Sequence, residues 1–194
     1  MKLRSFIPFA LLLTLLAGCK KDETATDTSA TTPTTEATAT TATTSSAAAS
    51  VSDDDKNFAM KAAEGGMGEV KLGELAASKA TNADVKAFGQ RMQTDHGKAG
   101  DELKQWATMK NVTLPATLNA EMLKTYDELS KKSGAAFDKA YMEDMVKDHD
   151  KDVGEFKDAQ SKVKDPDLKA WIDKTLPVIE GHQTMAHDLV KKLK

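Results

Sequence analysis

Asn82-Ala83-Asp84-Val85-Lys86-Ala87-Phe88 and Asp165-Pro166-Asp167-Leu168-Lys169-Ala170-Trp171 are two near-copies of one helix start. Each opens on a side chain whose oxygen can accept from the first free backbone N–H groups of a helix. The second adds proline at the first helical position, where no N–H is needed. Downstream of the first copy the apolar row is Val85, Phe88, Met92, His96, Ala99, Leu103 and Trp106, ending near Lys110. Downstream of the second it is Leu168, Trp171, Ile172, Thr175, Ile179, His182, Met185 or Ala186, and Leu189. Spacings of three and four put each row on one helix face.

Each copy is preceded by a matching row. Phe58, Ala62, Gly65, Glu69, Leu72 and Ala76 follow the acidic start Asp53-Asp54-Asp55, which suits the positive end of a helix dipole. Phe137, Tyr141, Met145, His149, Val153, Phe156 and Gln160 follow Ser133-Gly134. No alternating strand pattern competes. The sequence therefore predicts an all-α antiparallel four-helix bundle made of two helical hairpins. A crossover over Asn111–Ser133 carries Pro115 and a short helix near 118–132. Pro177 is expected to bend the last helix and free the carbonyl of Asp173.

The N-terminal segment has a different character. Lys2 and Arg4 precede the apolar run Phe6–Leu16, which ends in Leu16-Ala17-Gly18-Cys19. A charged start, a short apolar stretch and small residues at the end define a secretory signal. The run is too short for the roughly 20 residues of a membrane-spanning helix. Small residues directly before a cysteine resemble the lipobox of bacterial lipoproteins. That resemblance implies cleavage after residue 18, lipidation of Cys19 and attachment to a membrane. Lys20 is not the aspartate that retains such proteins in the inner membrane, so the expected location is the cell envelope, at the periplasmic face of the outer membrane. Cys19 is the sole cysteine, which leaves no intrachain disulfide. Residues 22–52 are almost entirely Thr, Ala and Ser, too poor in apolar surface to offset the entropy of ordering. They read as a disordered tether with a span of roughly 30 Å. The predicted organisation is a signal peptide at 1–18, the lipidated cysteine and tether at 19–52, and a helical domain at 53–194.

Charge excludes one class of partner. There are 27 basic and 30 acidic side chains, for a net charge of −3, and the lysines are scattered without interleaved aromatics. Nucleic-acid binding has nothing to rest on. The membrane is the expected partner, and an envelope protein partner stays open.

The residues that could carry chemistry sit inside the apolar rows. Glu69, His96, His149 and His182, one per long helix, fall at matching depths along the two hairpins. Neutral imidazoles and a carboxylate converging from four helices make a metal cage for zinc, copper or iron. Asp95 and Asp148 directly precede two of the histidines and could accept from a ring N–H. Met92, Met145 and Met185 lie within a turn of the histidines and would suit copper(I), although methionine at helical spacing also fills cores. A Glu–His hydrogen-bond cluster without metal is the alternative, because buried polar groups at one level can satisfy each other. A di-iron site would want paired Glu-x-x-His motifs, but the positions three residues before His96 and His182 are Gln93 and Ile179. Glu64-Gly65-Gly66-Met67-Gly68 has no preceding strand and reads as a close helix contact, not a phosphate loop. No hydrolase motif is present, and the reading leans away from an enzyme. Three functions remain open: a binding module holding a metal, a metal-dependent oxidoreductase or metal-storage protein, and a structural or interaction domain. If the histidines are buried and neutral, stability should fall as pH drops through about 6.5.

Several strings occur in a familiar order: Ala63-Glu64-Gly65-Gly66-Met67-Gly68-Glu69-Val70; Asp95-His96; Gly134-Ala135-Ala136-Phe137-Asp138; Asp148-His149; and Thr175-Leu176-Pro177 followed by His182. Together they resemble the bacterial DUF4142 family over roughly 55–190. The resemblance implies a ferritin-like bundle in exported bacterial proteins, and it brings no established activity, substrate or cofactor.

Overall fold

The computed structural model describes residues 50–193. The predicted signal peptide, Cys19 and the tether up to residue 49 lie outside the described residues. Five helices follow in order: α1 (Asp53–Lys79), α2 (Ala83–Lys110), α3 (Ala120–Ser130), α4 (Gly134–Lys162) and α5 (Pro166–Lys192). Among the described residues there is no strand, and no helix is long and apolar enough to cross a membrane.

The helix starts are built as the repeat implies. Asn82 accepts from the backbone N–H groups of Asp84 and Val85, and Asp165 accepts from Asp167 and Leu168. Ser52 caps α1, and Val51 just before it is buried in the core, so packing extends slightly upstream of Asp53. Gly134 opens α4 at φ +57°, a conformation that costs glycine little. The last helix runs unbroken through Pro177.

The two hairpins, α1–α2 and α4–α5, pack as an all-α antiparallel bundle, and α3 is the short crossover helix between them. α2 packs directly against α5, whereas α1 and α4 meet less closely and α3 bridges them. Asn119, which caps α3, donates to Glu64, and Lys79 near the other end of α1 donates to the carbonyl of Ser130. α3 therefore runs alongside α1 over the α1–α4 seam. Within the first hairpin the backbones touch: a Cβ on Gly73 would stand 2.6 Å from the carbonyl oxygen of Gly89.

The interior divides into two apolar clusters. One gathers Leu103, Trp106, Phe156, Leu168, Trp171 and Ile179, with Phe58 packed against it. The other gathers Leu72, Phe88, Met92, Phe137, Tyr141 and Met145. By helical register, His96, His149 and His182 form a polar layer between them.

Two buried aspartates hold the hairpins in axial register, and nothing in the apolar rows announces them. Asp55 on α1 is 1% exposed and accepts from the backbone N–H groups of Lys164 and Asp165 in the α4–α5 loop. Asp138 on α4 is 2% exposed and accepts from the N–H groups of Thr81 and Asn82 and from the Thr81 hydroxyl. Each hairpin thus clasps the turn of the other, at opposite ends of the bundle. Hydrogen bonds to a charged acceptor contribute about 1.5–3 kcal/mol, and leaving the donors buried without a partner adds a further cost. Asp138→Ala should therefore lower the unfolding free energy by about 3 kcal/mol in a urea titration. Asp138→Asn, which keeps an acceptor, should recover part of the loss, and a difference below about 0.5 kcal/mol for the alanine variant would remove the clasp from the account.

Candidate metal centre

The side chains of His96 on α2, His149 on α4 and His182 on α5 meet in the bundle core. One ring nitrogen from each lies within 4.8 Å of the other two. Ring centroids stand 5.2 Å apart for His96 and His182, 5.5 Å for His149 and His182, and 5.7 Å for His96 and His149. His149 is 0% and His182 1% exposed.

Hydrogen bonding fixes the tautomers of two rings. Nδ1 of His149 lies 2.9 Å from the carbonyl oxygen of Met145, which can only accept, so Nδ1 carries the proton. Its Nε2 holds the lone pair and has no partner. Nε2 of His182 lies 2.9 Å from Oδ2 of Asp95, so in the neutral ring Nε2 carries the proton and the unpartnered Nδ1 holds the lone pair. Nε2 of His96 is also buried without a partner. Three imidazole nitrogens are thus buried without a partner, and two are locked as acceptors by bonds at the other nitrogen of their rings. Burying polar atoms unpaired costs free energy. A metal ion accepting three lone pairs is the chemistry this donor set fits.

Glu69 joins the group from α1 but does not hydrogen-bond to it. It is 3% exposed, its Oε1 is 3.9 Å from Nδ1 of His149, and its Oε2 has no partner. A separation of 3.9 Å is outside hydrogen-bond range. The expected Glu–His hydrogen-bond cluster is therefore not formed. Burial, followed by the charges of Asp148, Asp152 and Asp144, raises the Glu69 carboxyl well above the usual carboxylate range.

Of the flanking residues, Asp95 accepts from His182 and also pairs with Arg91 at 3.2 Å. It orients the histidine of another helix, not its neighbour in sequence. Asp148, expected to do likewise, accepts from no ring; it lies on the wall of a cavity. Met92 and Met145 are fully buried in the second apolar cluster, and Met185 packs against it. Gln93 donates to the carbonyl of Gly73, and Ile179 belongs to the first cluster, so neither brings a carboxylate to the histidines. The remaining histidine, His187, pairs with Asp150 on the surface.

The cavity, about 390 Å³, opens along the α1–α4 seam beneath α3 and reaches His96 and Glu69. Sequence reasoning missed it. The glycine string of α1 was expected to mark a close helix contact, and that holds only for Gly68, which lies against the side chain of Met122. A Cβ on Gly65 or Gly66 would meet nothing within 4 Å, and both residues line the cavity.

An all-α bundle of two hairpins enclosing a buried histidine triad is the class of protein this geometry defines. The chain matches the family model described as "Domain of unknown function (DUF4142)" over residues 40–189, and it belongs to that family. Among curated proteins, none matches it. Among solved structures it is similar to the crystal structure of a DUF305 fragment from Deinococcus radiodurans. The identity is 8%, covering 73% of this chain and 98% of that one, with a TM-score of 0.65. That likeness speaks to the fold alone.

The polar groups at the centre titrate in opposite senses. Burial, helped by the nearby rings of His149 and His182, lowers His96 well below 6.5; burial also lowers His182 and takes His149 to about 4. The unfolded chain then binds the extra protons as pH falls below about 6.5, so the histidines remove stability from there down to their folded values. Burial pushes Asp152 up to about 7 and Asp144 to about 6. For these carboxylates the folded chain binds the extra protons, so they restore stability as pH falls through those values. The two effects overlap, and the simple acid loss expected from the histidines alone is masked. The melting temperature of the metal-free chain should change little between pH 7.5 and 5.5. In Asp144→Asn/Asp152→Asn it should fall clearly over the same range, and parallel curves for the two proteins would contradict this assignment.

Proposed function

We propose that this protein is a lipid-anchored metal-binding module of the bacterial cell envelope, holding one transition-metal ion on His96, His149 and His182. The observation that carries the reading is the convergence of three buried histidines, each of which has a buried ring nitrogen without a partner. Nitrogen donors with a neighbouring carboxylate suit zinc, copper(II) or iron(II). Asp95 and the Met145 carbonyl each hold a ring by one nitrogen and leave the other free to bind a metal. The anchoring and the location at the periplasmic face of the outer membrane rest on Leu16-Ala17-Gly18-Cys19 and the following lysines. The long polar tether would let the domain stand clear of the lipid surface. A second reading, a metal-dependent oxidoreductase, draws on the cavity that brings solvent-sized space to His96.

The test is elemental mass spectrometry on the full chain purified without a histidine tag, before and after zinc, copper or iron is offered and excess removed by dialysis. One metal per chain is expected, with a rise in melting temperature on loading. His149→Ala/His182→Ala should lose both while keeping a helical circular-dichroism spectrum. A wild-type chain that retains none of the three metals would overturn the proposal.

A further inference from the structure

The α1–α4 cavity has a wall that the histidine triad does not explain. Asp144, Asp148 and Asp152 stand at successive turns of α4 and line it together. Like charges four residues apart on a helix repel one another. Most acidic side chains on this surface are paired; among the described residues, none of these three makes an ion pair or a side-chain hydrogen bond. Lys147 and Lys151 lie on the same wall but are exposed, and Lys151 turns to Glu155. A buried oxygen of Asp144, Oδ2, has no partner. Between this row and the histidines sits Glu69, almost wholly buried, lining the cavity, with Oε2 unsatisfied and Oε1 within 4 Å of the His149 ring. Opposite, Gly65 and Gly66 leave the α1 wall open where any side chain would narrow it.

We propose that this cavity is a second, weaker cation site, in which Asp144, Asp148, Asp152 and Glu69 hold a hydrated divalent metal ion at the entrance to the histidine triad. The carboxylates do not close into a tight ligand cluster as the histidines do, which suits an ion that keeps its water shell. A row of like charges along a low-dielectric wall raises the local cation concentration and the rate of entry. The delivery role rests on the triad reading; occupancy of the entrance does not.

Two measurements on the full chain in neutral detergent separate these points. Free Mn²⁺ is followed by electron paramagnetic resonance in the wild type, in a His96→Ala/His149→Ala/His182→Ala variant and in Asp144→Asn/Asp148→Asn/Asp152→Asn. Weak Mn²⁺ binding should persist without the histidines and weaken at least about tenfold in the asparagine variant. Zinc uptake by stopped flow should slow by about tenfold in the asparagine variant, with stoichiometry and dissociation rate unchanged. Gly65→Leu, which keeps every carboxylate, should slow uptake as well and covers the case in which the asparagine variant folds poorly. Mn²⁺ binding equal to wild type in the asparagine variant overturns the inference. Zinc uptake at the wild-type rate in both the asparagine and Gly65→Leu variants overturns the delivery role. A chain that takes up no zinc yet loses Mn²⁺ with the aspartates would refute the triad and leave the entrance site standing.

Discussion

Asp55 and Asp138 each send a carboxylate into the turn of the opposite hairpin, and this pair of contacts sets how far one hairpin slides along the other. Apolar stripes specify which faces meet but tolerate an axial shift of a turn. Buried hydrogen bonds do not, because a shift would leave backbone N–H groups and a carboxylate unpaired. Two such clasps, one at each end, admit a single register. At that register one histidine from the first hairpin and two from the second arrive at the same level. A slip of one turn, about 5.4 Å, would carry the rings past each other.

The bundle therefore separates its roles by position. The ends carry satisfied polar contacts: the two aspartate clasps, the repeated caps, and Trp106 donating to Asp165. The middle carries groups that are buried and unsatisfied: three ring nitrogens, an oxygen of Glu69 and the Tyr141 hydroxyl. Each is individually unfavourable in the chain without ligand. The two apolar clusters on either side hold the layer closed and keep the rings in place. Concentrating unfavourable groups at one level, while the flanking packing supplies stability, is the arrangement expected where binding is traded against fold stability.

The helices, their caps and the depth of the four polar residues were legible because each follows from local periodicity. A histidine inside an apolar row is anomalous on its own helix, and the duplicated start set the two hairpins in correspondence. The clasps were not legible. Asp55 reads as one more acid in the first turn of a helix, and Asp138 as an ordinary polar neighbour of Phe137; their partners are N–H groups of turns more than fifty residues away. The cavity was illegible for a different reason: it is defined by side chains that are missing. Gly65 and Gly66 give the same sequence signal as a close contact, and only the position of α3 decides that Gly68 is covered while they are not. The tautomers needed the carbonyl of Met145 and the carboxylate of Asp95, which spacing alone could not assign.

The looser of the two seams between the hairpins is what gives the centre access. A two-fold relating the hairpins would pair α1 with α4 and α2 with α5 as two distinct interfaces, and of these the α1–α4 seam is the looser. The crossover places α3 alongside α1, where it touches both α1 and α4. Met122 presses on Gly68 while the adjoining glycines stay uncovered, so α3 roofs the gap without filling it. The same asymmetry assigns the residues. From the tighter seam, α2 and α5 supply His96, which the cavity reaches, and His182, oriented by Asp95. On the open side, α1 supplies Glu69 and α4 adds a file of carboxylates to His149. The looser seam, roofed by α3, thereby gives the polar layer an acidic approach that ends at His96.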